Sequence, residues 1–421
     1  MDIHRWIATF ATICCALGPP VLAQSTASPS PAAAGIPATT VGVPLATAFE
    51  AAWQRAVAAR EVQGQRQRAD AERAAASSLW AAPPAVSIHY RDDRLLSNEG
   101  VRETDVALSW PLYLPGQRAA RGSAAEAGLA LADGAQAAAR LRVAGEVREA
   151  AWILMAQQAD LEQADALVAS LATLLDDVER RVRAGDLAPA DALAARAEFL
   201  GATAQQMEAR QRVFDARARW EVLTGLAALP IADEVTATTV ATDVMSSHPQ
   251  LWLATAAAEH ARKRVELLRT SRSDPPELVV GYRNEVPGRS ESSQNSLAIG
   301  VRVPFGTSDR NLPLQAAALA DLDVADSIEQ RLRERLGSEA TAARTAVQTA
   351  EQHLAVERNR AALLRERARL IDKSFRVGES PLPDLLRALS AAAQAEAAAA
   401  RQQAALGLAR ARFQQALGLL P

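Results

Sequence analysis

Residues 183–193, RAGDLAPADAL, and residues 376–386, RVGESPLPDLL, carry one short phrase: Gly, an acid, Pro close by, Asp six residues past the Gly and Leu two further on. The same offset of 193 residues aligns Val106 with Ile299, Pro111 with Pro304, RARW (217–220) with RARF (410–413) and Gly225-Leu226 with Gly418-Leu419. An offset one residue shorter aligns Pro83-Pro84 with Pro275-Pro276 and Tyr90-Arg91 with Tyr282-Arg283. A series of matches in order over this length is an internal repeat, and it constrains the fold before any motif does. The 421 residues are two copies of one plan.

Each copy reads as helix, hairpin, long helix, turn, helix. Residues 45–80 are rich in Ala, Arg, Gln and Glu, which favours a helix that ends at Pro83-Pro84. VSIHYRD (86–92) and TDVALSW (104–110) alternate apolar with polar or small residues, as do LVVGYRNE (278–285) and NSLAIGVRVPF (295–305). Stretches 117–183 and 312–376 then run without Gly–Pro punctuation strong enough to end them, apart from Pro313 near the start of the second. At 1.5 Å per residue each spans roughly 100 Å. Apolar residues recur at three- and four-residue spacing, as in Leu161, Ala164, Leu167, Val168, Leu171, Leu174, Leu175 and Val178. A stripe this narrow suits helices lying side by side along their whole length. The expected organisation is a first repeat over 45–230 with hairpin 85–112 and turn 184–191, a connector over 231–246, and a second repeat over 247–421 with hairpin 277–305 and turn 377–384.

The strands admit two readings, hairpins on a soluble core or strands in a membrane. Segments of about 8–10 residues are long enough to cross a bilayer at a tilt. The face opposite the apolar one carries His89, Arg91, Asp105, Arg283 and Arg302, which suits a wet lumen better than a core. Trp80, Trp110, Tyr113 and Phe305 fall where strand meets helix, as membrane-interface aromatics would. Four strands cannot close a barrel, and open edges in lipid are not tolerated. Membrane strands therefore require several copies sharing one barrel, with the long helices forming a ring beneath it. The fold class expected is mainly α with membrane β: a tandem-repeat α-barrel tunnel plus four strands per chain donated to a shared barrel.

The first residues point to export. MDIHRWIATFATICCALGPPVLA (1–23) has a basic start, an apolar stretch and a small residue at its end, the pattern of a signal peptide. A Pro/Ser/Ala-rich segment follows over 24–44. Both cysteines, Cys14 and Cys15, lie in the leader, and their surroundings do not read as a lipoprotein signal. The mature chain then has no thiol chemistry and no Cys-based metal site. A net charge of −3, with Arg interleaved among Glu and Asp at helical spacing, argues against a nucleic-acid partner.

No catalytic signature is present: no G-x-S-x-G, H-E-x-x-H, P-loop or strand-borne G-x-G-x-x-G. His89, His248, His260 and His353 are scattered, so no metal site and no cofactor is expected. At the repeated turn, Gly185 and Gly378 suit helix termination at positive φ, Ser380 can cap the next helix, and Asp191 and Asp384 fall near that helix's N-terminus. A plain helical turn accounts for these. It leaves Leu187, Leu382 and Leu385 unexplained, which a binding tip would explain. Asp176 with Arg180, and Asp372 with Arg376, stand one turn apart near the tips, either as surface pairs or as charge bridges of a periplasmic gate.

With its tandem repeat, four short strands, repeated Gly-x5-Asp turn and closing stretches RARWEVLTGL and RARFQQALGLLP, the chain resembles the outer-membrane efflux proteins, the TolC-like channels. The resemblance implies a homotrimer with a twelve-stranded barrel among outer-membrane lipids and a tunnel in the periplasm, with the connector in an equatorial region. It implies a periplasmic adaptor docking on the tips (Gly185, Asp186, Leu187, Asp191, Gly378, Glu379, Pro381 and Asp384) and an inner-membrane RND-type pump beyond it. Where family channels often carry Ser or Thr after the turn, this chain has Ala188 and Pro381. SRSDPPELVVGY (271–282), VRVPFGTSDRN (301–311) and the final QALGLLP are similar to the CzcC-like branch, which implies export of divalent heavy-metal cations. Drug efflux, protein secretion and a soluble periplasmic scaffold are the alternatives.

Overall fold

The computed structural model describes residues 42–95, 97–231, 247–306 and 308–421. The expected signal peptide, most of the Pro/Ser/Ala-rich segment and nearly all of the connector lie outside them. The elements in chain order are β1 (Val43–Pro44), α1 (Leu45–Arg55), α2 (Val57–Ala76), β2 (Ala85–Asp92), β3 (Arg102–Pro111), α3 (Gln117–Ala184) and α4 (Pro189–Thr224). There follow β4 (Pro230–Ile231), α5 (Pro249–Thr270), β5 (Glu277–Val286), β6 (Gln294–Arg302), α6 (Ser308–Arg376) and α7 (Leu382–Ala416). Apart from the short β1 and β4, each repeat contributes helix, hairpin, long helix and helix.

The elements stack in three tiers. At one end the strands form a single antiparallel sheet in the order β2-β3-β5-β6, joining the two hairpins through β3 and β5. Next to it the helices lie in the order α2-α3-α5-α6, and at the far end in the order α4-α3-α7-α6. In every tier a first-repeat element stands at one lateral border and a second-repeat element at the other.

Between the helical tiers lies a core of Leu45, Phe49, Val147, Leu154 and Trp220, whose indole N–H donates to the Ala228 carbonyl at 3.0 Å. Arg148 is buried here and its guanidinium donates to Gln415 Oε1 at 2.7 Å and to the Leu419 carbonyl at 2.9 Å, tying the C-terminal stretch to α3. The paired helices meet through heptad seams: α4 buries Ala195, Ala202, Ala209 and Ala216, and α6 buries Leu354, Ala361, Ala368 and Phe375. Alanine at these positions lets the backbones approach closely.

Two boundaries differ from expectation. The first helix is not continuous over 45–80: it breaks at Ala56, extended at φ −64° and ψ 133°, and α2 ends at Ala76. No Gly or Pro marks this break; the core that holds Leu45, Ala48, Phe49 and Ala52 sets the direction of α1. The last strand stops at Arg302, so Val303 and Phe305 lie beyond it.

Candidate functional site

At the far end of the molecule both long helices stop in the same way. Gly185 takes φ 88° and Gly378 takes φ 84°. The amide of Gly185 donates to the Val182 carbonyl at 3.1 Å and that of Asp186 to Arg181 at 2.9 Å. In the second repeat Gly378 donates to Phe375 at 3.1 Å and Glu379 to Ser374 at 3.0 Å. Both are Schellman turns, in which the left-handed glycine lets the last carbonyls find donors.

The restarts differ. The Asp191 carboxylate accepts from the Ala188 amide at 3.2 Å, half of a capping box. At the equivalent place Pro381 has no N–H to give, and Asp384 instead pairs with Arg387 at 2.6 Å. Ser380 does not cap the next helix as expected. Its hydroxyl donates to Ser374 Oγ at 2.7 Å, so it braces the end of α6, and Pro381 takes the N-cap place.

The two tips are joined to one another. Leu382 and Leu385 are buried with Leu171, Leu174, Val178 and Phe375, and Leu187 packs against this cluster. The apolar residues of the tip thus hold the hairpins together, which accounts for Leu187, Leu382 and Leu385 without calling on a partner. Arg181 Nε pairs with Asp177 at 3.0 Å while its guanidinium lies 5.0 Å from the centre of the Phe375 ring. This latch was not anticipated, although the Asp177/Arg181 spacing of four residues was visible. Of the expected docking residues, the tips leave Gly185, Asp186, Gly378, Glu379 and Pro381 exposed.

Of the expected gate pairs, Asp372 and Arg376 meet at 3.0 Å. Asp176 and Arg180 do not form a salt bridge: Arg180 pairs with Asp177 at 3.3 Å, and its Nε donates to the Asp176 backbone carbonyl. Arg180, Asp372 and Arg376 share the lining of a groove of about 730 Å³ between α3 and the α6–α7 pair, and Asp176 is not part of it.

At the opposite end the sheet has two chemically different faces. One row across it reads Ile88, Val106, Tyr282, Leu297, and the next Val86, Leu108, Val280, Ile299. On the other face His89, Asp105, Arg283 and Ser296 are in register, and Arg283 Nε reaches Asp105 at 2.7 Å and Glu103 at 3.0 Å. The apolar face is open: Val86, Ile88, Tyr90, Leu297, Ile299 and Val301 are all exposed. Trp80 and Trp110 sit 6.4 Å apart at the junction of strands and helices, where Tyr113 and Phe305 also fall, the latter fully outward. Among the described residues no helix is long and apolar enough to cross a membrane, and no cluster of His, Cys, Asp and Glu has the makings of a metal site.

Residues 51–226, essentially the first repeat, match the family described as outer membrane efflux protein. Over its first repeat the chain is therefore similar to the outer membrane efflux proteins, and it reads as a non-enzymatic outer-membrane channel protein whose helices extend into the periplasm. The fold is shared over the second repeat as well. The outer membrane protein VceC of Vibrio cholerae superposes with a TM-score of 0.72 at 16% identity, covering 89% of this chain and 96% of that one. The CmeC outer membrane channel of Campylobacter jejuni gives 0.71 at 15% over 95% and 94%. CusC, whose structures describe folding and transmembrane channel formation, gives 0.74 at 15% over 96% and 100%. A search of curated protein sequences finds no match.

Proposed function

We propose that three copies of this chain close one twelve-stranded barrel in the outer membrane and one helical tunnel beneath it, forming the exit duct of a tripartite efflux system. The observation that carries this reading is the four-stranded sheet with an exposed apolar face and, among the described residues, no strand on the outer edge of β2 or β6. In hydrocarbon such edges must be paired, and only further copies of the same sheet offer matching strands. Trp80, Trp110, Tyr113 and Phe305 then mark the periplasmic boundary of the membrane. The exposed tips around Gly185, Asp186, Asp191, Gly378, Glu379, Pro381 and Asp384, with Leu187 bracing them, dock a periplasmic adaptor that leads to an RND-type pump. Asp372 and Arg376, with Arg180 and Asp176 on the facing helix, lie at the mouth that such docking would open.

The cargo we assign is divalent heavy-metal cations. The support is the similarity of residues 271–282, 301–311 and the C-terminal QALGLLP to the CzcC-like branch. A duct needs no resident metal site, since selection belongs to the pump. Deleting the gene is expected to sensitise cells to cobalt, zinc, cadmium or nickel more than to dyes and detergents. Unchanged metal tolerance beside lost drug tolerance would reassign the duct to drug efflux.

A further inference from the structure

α4 and α6 stand at the two lateral borders of the lower tier. Each already spends one heptad seam inside its own chain, and each carries a second apolar row at the same seven-residue spacing. On α4 the row is Leu193, Leu200, Met207 and Phe214. On α6 and just past its end it is Val356, Leu363, Leu370 and Val377. All eight are between 55% and 74% exposed, an extent of apolar side chain that marks an interaction surface.

The rows also agree in height. The two tips are level, because Arg181, four residues before Gly185, lies over Phe375, three before Gly378. Counted from those glycines, Leu193 and Leu370 are each 8 residues away, Leu200 and Leu363 each 15, and Met207 and Val356 each 22. Gln206 and Arg212, 21 and 27 residues past Gly185, bond to Asp165 and Gln157, 20 and 28 before it, so equal counts up α4 and α3 reach equal heights. At 1.5 Å per residue along the long helices, the pairs stand roughly 12, 22 and 33 Å above the turn. The rows cannot meet within one chain, since α3 and α7 stand between them. At the level of Phe214 the other row has Thr349, and the match ends.

We propose that α4 of one copy packs antiparallel on α6 of the next through three apolar layers, Leu193 on Leu370, Leu200 on Leu363 and Met207 on Val356. This rests on the shared-barrel reading and adds the contact that holds the tunnel together near its mouth. The occupant is a second copy for two reasons. An unrelated helix would have no cause to reproduce the spacing and height of the opposite border. The open edges of β2 and β6 require the same pairing, first-repeat border against second-repeat border. The mouth charges are already committed inside the chain, Arg180 to Asp177 and Arg376 to Asp372, so apolar layers rather than charge bridges join the copies here.

The test uses cysteine pairs in the full chain, whose own cysteines are confined to positions 14 and 15. L200C/L363C and L193C/L370C, oxidised in outer-membrane vesicles, are expected to give covalent dimers and trimers on denaturing gels. The offset pair L200C/V356C, displaced by one heptad or about 10 Å, is expected to give at least fivefold less, and the unsubstituted chain sets the background. Equal linking from matched and offset pairs, or linking from the offset pair alone, in protein that native mass shows to be multimeric, would overturn the layers while leaving the shared barrel intact. Monomeric protein by native mass would remove both.

Discussion

Gly185 and Gly378 are left-handed, with open space where a side chain would point. Nothing would clash with a Cβ there, so a substitution is opposed by backbone torsion alone, on the order of 1–3 kcal/mol for a residue forced into this region. Gly185→Val and Gly378→Val are therefore expected to leave normal amounts of assembled protein in the outer membrane. Both are expected to lose adaptor crosslinking and efflux if the turn's shape is what the adaptor reads. Full crosslinking from well-assembled variants would reduce the tips to turns. His248 offers a pH test. It is buried, its Nδ1 accepts from the Gln250 amide at 3.2 Å, and Glu339 and Arg412 line the cavity beside it. Burial holds its pKa below the ordinary 6.5, so the unfolded chain takes up a proton first as pH falls. The stability it contributes is complete above about pH 6.5 and is lost as pH drops from there towards the folded pKa. Asn keeps the capping acceptor and removes the titration. The melting temperature of His248→Asn relative to the parent is expected to rise from pH 7.5 to pH 5, and a difference independent of pH would contradict this role. At this scale the turn glycines were legible because only glycine sits easily at positive φ. The partner of Arg180 was not, since acids three and four residues back compete and only the packed helix decides between Asp177 and Asp176.

The elements were mostly legible, and for a physical reason: a repeat supplies two readings of each boundary, and period-two and heptad patterns do not resemble one another. The alternation in β6 placed Leu297, Ile299 and Val301 on one face, where the register puts them. The break at Ala56 was not legible, because Arg55-Ala56-Val57 carries no turn residue and the direction of α1 comes from tertiary packing. Ser380 was misread for a related reason: as a cap it competes with a bond back to Ser374, and the turn geometry favours the second. The sheet's two faces give a direct comparison at neighbouring positions. Ile299→Arg places a cation on the apolar face, at a cost of ~2–4 kcal/mol near the bilayer midplane. Ala298→Arg points to the charged face. The first is expected to reduce assembled protein in the outer membrane severalfold and the second to spare assembly. Equal yields from both would mean that the apolar face does not meet lipid.

For the whole molecule, three tiers each end in a first-repeat border and a second-repeat border, and all three leave those borders open. That consistency is what makes one chain an incomplete object: among the described residues β2 and β6 each pair on one side only, α4 and α6 carry outward apolar rows, and nothing covers the apolar sheet face. Sequence periodicity reached the need for several copies through the number of strands, yet the matching heights of the two helix rows emerged only once the tips were seen to be level. The most direct measurement is the native mass and strand content of the protein extracted in detergent from the outer-membrane fraction. Three copies around a closed twelve-stranded barrel are the expected result. A monodisperse monomer, stable without detergent in the periplasmic fraction, would contradict the account.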